Sequence, residues 1–304
     1  MKVAGFARTR ILTHNHAMRR LLIIGCGDVA LRAIPLLTQH YRVFALVREL
    51  SQCAELHALG AMPIVGDLDN RASLARLAGL ADTVLHFAPP VNSGIRDTRT
   101  RNLLTALSRG ALPKRLVYIS TSGVYGDCGG AWISETHPLN ATTARAKRRV
   151  DAEMQIRGWG KRNGVNANIL RVPGIYAADR LPLNRIQKGT PCIVGSEDSY
   201  TNHIHADDLA RIAIAALRYG KTCRVYHASD DSQLKMGEYF DAVAGAFGLP
   251  LPPRIHRAEA QRILPEALLS FMNESRRLNN HRMKQELKVK LRYPTVMDML
   301  PILK

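Results

Sequence analysis

The stretch Leu21-Leu22-Ile23-Ile24-Gly25-Cys26-Gly27-Asp28-Val29-Ala30 decides how the rest of the chain is read. Four apolar residues with no polar alternation suit a central parallel strand covered on both faces. The run stops at Gly25, which takes a tight turn, and Gly27 lets the backbone approach a ligand at the positive end of the next helix. Ala30 is small enough for that helix to pack closely on the strand. Together they spell G-x-G-x-x-A, so the expected ligand is a dinucleotide, with its pyrophosphate at Gly25, Gly27 and the helix start of Asp28 and Val29.

Working outward, strand and helix alternate. The periodicity predicts a helix over 28–39, in which Pro35 costs about 3 kcal/mol and should kink the helix or end it early. Strands are expected over 42–47, 61–65, 83–88 and 115–120, with helices over 51–59, up to 78 and over 98–109. Asp69 or Asn70 is positioned to cap the helix ending at 78. This order predicts an α/β fold of Rossmann type, a doubly wound parallel sheet with right-handed crossovers.

The end of the second strand bears on cofactor choice. An acidic residue there holds the ribose 2′-hydroxyl of NAD, whereas an arginine accommodates a 2′-phosphate. Here Val47 is followed by Arg48, which favours NADP(H) over NAD(H), although the neighbouring Glu49 is also within reach of a ribose. A charge-assisted hydrogen bond, worth roughly 1.5–3 kcal/mol, is enough to decide the preference.

Composition limits the function classes. Apolar residues at 46% and charged residues at 22% are ordinary for a folded globular protein. No run of eighteen apolar residues and no apolar leader is present, so the expectation is a cytoplasmic protein without a membrane span. The five cysteines are scattered, with no C-x-x-C pair, and read as reduced thiols without a metal site. The net charge of +18 is high, but no nucleic-acid-binding motif accompanies it. A solvated basic surface that also attracts phosphorylated ligands is the expected meaning, with no nucleic-acid or membrane partner.

Further motifs carry a resemblance. Gly66-Asp67-Leu68, the strand ending at Ala88, Ser120-Thr121-Ser122-Gly123-Val124-Tyr125-Gly126 and Leu170-Arg171-Val172-Pro173-Gly174-Ile175-Tyr176 follow one another in order. His203-Ile204-His205-Ala206-Asp207-Asp208 and Tyr226-His227-Ala228-Ser229-Asp230-Asp231 come after them. In this order the chain resembles the extended and atypical short-chain dehydrogenase/reductases, the sugar-nucleotide epimerase/dehydratase group, over about residues 20 to 300.

The resemblance implies that Asp67 and Leu68 lie by the adenine, that Ala88 lines the cofactor cleft, and that Pro173 and Gly174 pass near the nicotinamide. Thr121, four residues before Tyr125, stands where the family places a serine or threonine that hydrogen-bonds a substrate oxygen. Lys147 would bind the nicotinamide ribose and act in catalysis. It also implies a small-molecule substrate, phosphorylated or nucleotide-linked, a homodimer, and this division of the chain: an N-terminal tail over 1–17, a cofactor domain over 18–176 with 202–230 returning to it, and a small α+β substrate lobe from 177–201 and 231–304.

One departure is large. The family's general acid/base is a Tyr-x-x-x-Lys pair, and Thr143 stands four residues before Lys147. No tyrosine occurs between Tyr125 and Tyr176. An aliphatic hydroxyl is far too weak an acid to replace a phenol. Three readings stay open: another phenol acts, Tyr125 first and Tyr176 next; Thr121 orients the carbonyl while water supplies the proton; or the protein binds NADP(H) without turnover. Arg145, Arg148 and Arg149 are expected on an exposed helix face beside Lys147.

Overall fold

The structure, a computed structural model, describes residues 18–303. The tail expected over 1–17 therefore lies outside the described residues. Seven strands form one sheet: β1 (Arg19–Ile24), β2 (Tyr41–Val47), β3 (Met62–Val65), β4 (Thr83–His86), β5 (Arg115–Thr121), β6 (Asn166–Val172) and β7 (Val225–His227). Their spatial order is β3-β2-β1-β4-β5-β6-β7, and every pairing is parallel.

β1 shows why the opening run makes a central strand. Leu21 and Ile23 join the core on one face, and Leu22 and Ile24 join the core on the other. The first core is closed by α1 (Asp28–Leu37) and α5 (Ala206–Tyr219), the second by α3 (Thr98–Leu107) and α4 (Ala144–Asn163). α2 (Cys53–Ala58) links β2 to β3. Pro35 sits in the last turn of α1, which ends at Leu37, two residues before the sequence pattern stops. Asn70 is the residue that caps, and what it caps is a 3₁₀ segment over Arg71–Leu77. Among the described residues no helix is long and apolar enough to cross a membrane.

After β6 the chain leaves the sheet. The strand Gly174–Tyr176 pairs in parallel with His203–His205, and α5 and β7 then return to the main sheet. The segments around this return build a smaller core in which Tyr176, Ile186 and Cys192 pack against Tyr239, Phe240 and Val243 of α6 (Met236–Ala246). His203 stacks on Tyr239 with ring centroids 4.1 Å apart, and His205 lies against Tyr293 at 3.9 Å. These two imidazoles are packing partners, and the described residues contain no cluster of three or more metal-ligating side chains.

In this sheet the direction of winding reverses between β1 and β4. Ligands of doubly wound folds bind outside the carboxyl ends of the strands at that point. Here the residues just past the two carboxyl ends are Gly25 and Ala88, which line one candidate cavity, and Pro89, which lines both.

Candidate functional site

The first cavity, about 290 Å³, is lined by Gly25, Cys26, Gly27, Arg48, Asp67, Leu68 and Ala88 among others. Gly25 has φ +91°, and a Cβ there would meet the backbone nitrogen of Ala88 at 2.4 Å. Only glycine lets β1 turn under the end of β4 at this spacing. Gly27 is different, because a Cβ there would find nothing within 4 Å. It lines the cavity, and its side-chain space is open. No side chain caps α1; the Ala30 N–H turns back onto the Gly27 carbonyl at 2.9 Å, which leaves the Asp28 and Val29 N–H groups at the helix start for an anion.

Several of the expected site residues therefore fall together. Asp67 folds its own loop, its Oδ1 accepting from the Asp69 N–H at 3.0 Å, while the Leu68 carbonyl accepts from Asn102 at 2.7 Å. Arg48, at the end of β2, lines the cavity, and Glu49 does not. Gln52 and Arg99 also line it, and the sequence reading missed both. Arg99 holds Asp69 through Nε and Nη2 (2.6 Å at the shortest) and donates from Nη1 to the Pro89 and Pro90 carbonyls. It ties the loop after β3 to the loop after β4.

Asp28 and Val29 line neither cavity. The Asp28 carboxylate accepts from Arg32 at 2.7 Å and Arg180 at 2.9 Å, and these two cations hold its pKa below the ordinary value against the effect of burial. Val29 is part of the core. What these two residues offer a pyrophosphate is backbone N–H, not side chain. The Cys26 thiol donates to the Leu46 carbonyl, and burial pushes its pKa up to about 12, so it is an unreactive wall.

The second cavity, about 490 Å³, continues from the first across Pro89, which lines both. Thr121, Pro173 and Gly174 line it. Thr121 caps the turn Ser122–Tyr125, its Oγ1 accepting from the Gly123 N–H at 3.2 Å. That contact uses an oxygen lone pair and leaves the hydroxyl proton free to donate toward the cavity.

The structure corrects two expected roles here. Lys147 is exposed and lines neither cavity. Thr143 caps α4, accepting from the Ala146 N–H at 3.1 Å, so the helix begins at Ala144. Each residue turns the helix about 100°, which puts Lys147 about 200° away from Arg145. The cleft face carries all three arginines: Arg145 is exposed, as expected, whereas Arg149 is half-buried and Arg148 buried. The pair at i, i+4 facing the cavity is Arg145 and Arg149, two residues beyond the expected Thr143 and Lys147.

Tyr125 is the second correction. It is 1% exposed and lines neither cavity. Its hydroxyl lies 2.6 Å from His227 Nε2 and receives a hydrogen bond from Arg171 Nη1 at 2.6 Å. Because the Asn279 carbonyl, 2.9 Å from His227 Nδ1, must take the proton of that nitrogen, Nε2 is the acceptor and Tyr125 donates to it. Arg171 is in turn paired with Glu153 at 2.7 Å, both almost fully buried. Burial lifts the Tyr125 phenol to about 12 and holds His227 down to about 3. This is a closed structural network. Tyr176, also buried, lines neither cavity, and burial raises its pKa as well.

Instead, the second cavity is rich in guanidinium. Arg149 donates from Nη1 to the Ile119 carbonyl at 2.6 Å and to the Tyr118 hydroxyl at 2.9 Å. Arg148 donates to the Gly94 carbonyl at 2.6 Å, and Arg145 stacks on Phe271 at 4.4 Å. Arg185 and Arg276 come from the C-terminal segments. Glu274 is the one carboxylate among the described lining residues, and it pairs with Arg276 at 2.8 Å. Desolvation, together with the Arg149, Arg148 and Arg276 cations, keeps Arg145 below its usual pKa despite Glu274.

Comparison with known proteins shows the family and the fold. A family model described as the NAD dependent epimerase/dehydratase family matches residues 32–228. The bovine (Bos taurus) dTDP-D-glucose 4,6-dehydratase is 23% identical over 265 residues, covering 78% of this chain and 75% of that protein. A 4-hydroxy-2-methyl-3-oxo-4-farnesyl-3,4-dihydroquinoline-1-oxide ketoreductase of Stigmatella aurantiaca is 29% identical over 180 residues, 53% of this chain and 52% of its own. Among solved structures, a functionally unknown conserved protein from Silicibacter pomeroyi superposes with a TM-score of 0.77 at 28% identity, covering 94% of this chain and 98% of that one. The UDP-glucuronic acid 4-epimerase of Bacillus cereus, solved in complex with NAD, shares the fold with a TM-score of 0.73 at 17% identity, over 92% and 96% of the two chains. The chain belongs to the NAD dependent epimerase/dehydratase family.

Proposed function

We propose that this protein binds NADP(H) in the glycine-loop cavity and transfers hydride at a carbonyl of a sugar-nucleotide or related anionic substrate held in the arginine-lined cavity. One observation carries the reading: the two cavities meet at Pro89, with the dinucleotide loop on one side and Thr121, Pro173 and Gly174 on the other. The relatives whose names include dTDP-glucose or UDP-sugars support the substrate class.

When bound, the dinucleotide supplies or accepts the hydride. The chain provides the rest. Thr121 donates its free hydroxyl proton as a hydrogen bond to the substrate carbonyl oxygen, which fixes the carbonyl and polarises it. Arg145 and Arg149 hold the anionic part of the substrate on the α4 wall of the cavity. The expected donors Tyr125 and Lys147 line neither cavity, so the proton that completes the alcohol comes from water or from Tyr200, the phenol that does line the larger one. Arg48 selects the 2′-phosphate from the far end of the first cavity.

A second reading, NADP(H) binding without turnover, is favoured by one feature. The imidazole lining the larger cavity, His203, is held neutral by burial with a pKa of about 4, and no phenol stands on the cleft face of α4. The readings separate on one experiment: purified full chain with NADPH and a panel of carbonyl compounds and sugar nucleotides, followed by NADPH absorbance. Substrate-dependent loss supports the enzyme, and tight binding with no loss across the panel supports the sensor.

A further inference from the structure

We infer that the larger cavity takes a ligand whose own oxyanion group, phosphate or carboxylate, lies at the cofactor end of the cleft against Arg145, Arg148 and Arg149. This deepens the reading above and rests on it for the position of the cofactor.

Position is the first argument. The arginines of α4 belong to the sheet side of the cleft: Arg149 is anchored on the Ile119 carbonyl of β5, two residues before Thr121, and Arg148 on Gly94 in the loop after β4. Their charge therefore lies beside the reacting groups. Where the resemblance expects a phenol and an ammonium, α4 presents two guanidiniums, Arg145 and Arg149.

Charge balance is the second. Against these three cations, and Arg185 and Arg276 opposite, the described lining offers only Glu274. Buried guanidinium nitrogens also lack an acceptor among the described residues: Nε of Arg148, Nε of Arg276, and Nε and Nη2 of Arg185. Arg148 and Arg276 are each 8% exposed, so water compensates them poorly. An oxyanion is the ligand chemistry that balances this excess of guanidinium charge, and the exposed Arg145 is open to meet it with a planar, bidentate fork. With about 490 Å³ of space, the cavity admits such a group together with a carbonyl-bearing body.

The test is a calorimetric titration of the full chain, with and without NADPH, using inorganic phosphate and separately malonate, with ionic strength held constant by chloride. Saturable binding of one probe, about tenfold weaker in Arg145→Gln and unchanged in the remote Arg109→Gln, is the expected result. Phosphate binding identifies a phosphorylated ligand, and malonate binding a carboxylate. Equal binding in Arg145→Gln, or no saturable binding of either probe, overturns the inference, even if NADPH binds normally. Anion binding without NADPH binding leaves this inference standing and removes the cofactor reading instead. Should Arg145→Gln fail to fold, the wild-type melting temperature decides: it rises with the bound probe over a chloride control, and no rise counts against the inference.

Discussion

Arg145 and Arg149 stand one helical turn apart on α4 and both line the larger cavity, while Lys147 between them points to solvent. The start of the helix sets this register, and the start is fixed by the Thr143 cap. The α4 wall of the larger cavity is consequently more cationic than a phenol and a lysine would make it.

Lys147→Ala should leave NADPH affinity unchanged and stability within about 0.5 kcal/mol, as for an exposed surface change. Arg149→Ala should destabilise by about 1–3 kcal/mol, because the Ile119 carbonyl loses its charged donor. Denaturant unfolding of both variants beside NADPH titration checks this. A large loss of NADPH affinity in Lys147→Ala would return that residue to the site.

The two glycines of the loop should separate folding from binding. Gly25→Ala meets Ala88 at 2.4 Å and must adopt φ +91°, so the melting temperature falls, with a cost of about 1–3 kcal/mol or more. Gly27→Ala meets nothing within 4 Å of protein, so the fold survives. Its methyl instead occupies the approach to the pyrophosphate, and NADPH binding is lost. A Gly27→Ala protein that binds NADPH normally would place the dinucleotide elsewhere.

Tyr125→Phe removes the group between Arg171 and His227. It should cost about 1–3 kcal/mol from the buried polar atoms left unpaired, with NADPH affinity intact. A variant as stable as wild type but devoid of turnover would instead make Tyr125 a catalytic phenol.

Much of the fold was legible because buried parallel strands are written as continuous apolar runs, and β1 is the clearest case. The glycine loop was legible because its geometry demands particular residues. α4 was not. Its cleft and core faces both carry charge, with Arg148 and Glu153 buried, so no apolar stripe reveals the register. Only the cap at Thr143 sets it, and a threonine alone in the sequence is a weak signal. Arg99 was missed for another reason: its partner Asp69 lies 30 residues away, and the pairing exists only in the folded chain. Tyr125 looked available because the sequence does not show that β6 and β7 bring Arg171 and His227 against it.

Stability should fall as pH drops below neutrality. Burial holds His86 and His227 to about 3 and His203 to about 4, so all three stay neutral in the folded chain while the unfolded chain protonates near 6.5. Each group favours the fold above 6.5, and that contribution is lost as pH falls from 6.5 toward the folded value, by about 1.4 kcal/mol per unit. Asp230 acts oppositely: burial lifts it to about 8, so it is destabilising above that pH and relieves the fold as pH falls toward its unfolded value. Three protons outweigh one, and the urea midpoint should be lower at pH 5 than at pH 7. A flat or rising midpoint over that interval would contradict the buried neutral histidines.

The most direct measurement is a calorimetric titration of the purified chain with NADPH and, separately, NADH, repeated on Arg48→Ala. The account predicts tight NADPH binding, weaker NADH binding, and an Arg48→Ala protein that loses about ten- to a hundredfold in NADPH affinity while NADH affinity holds. Binding of neither dinucleotide by the wild-type chain would contradict it, leaving the glycine loop a structural turn.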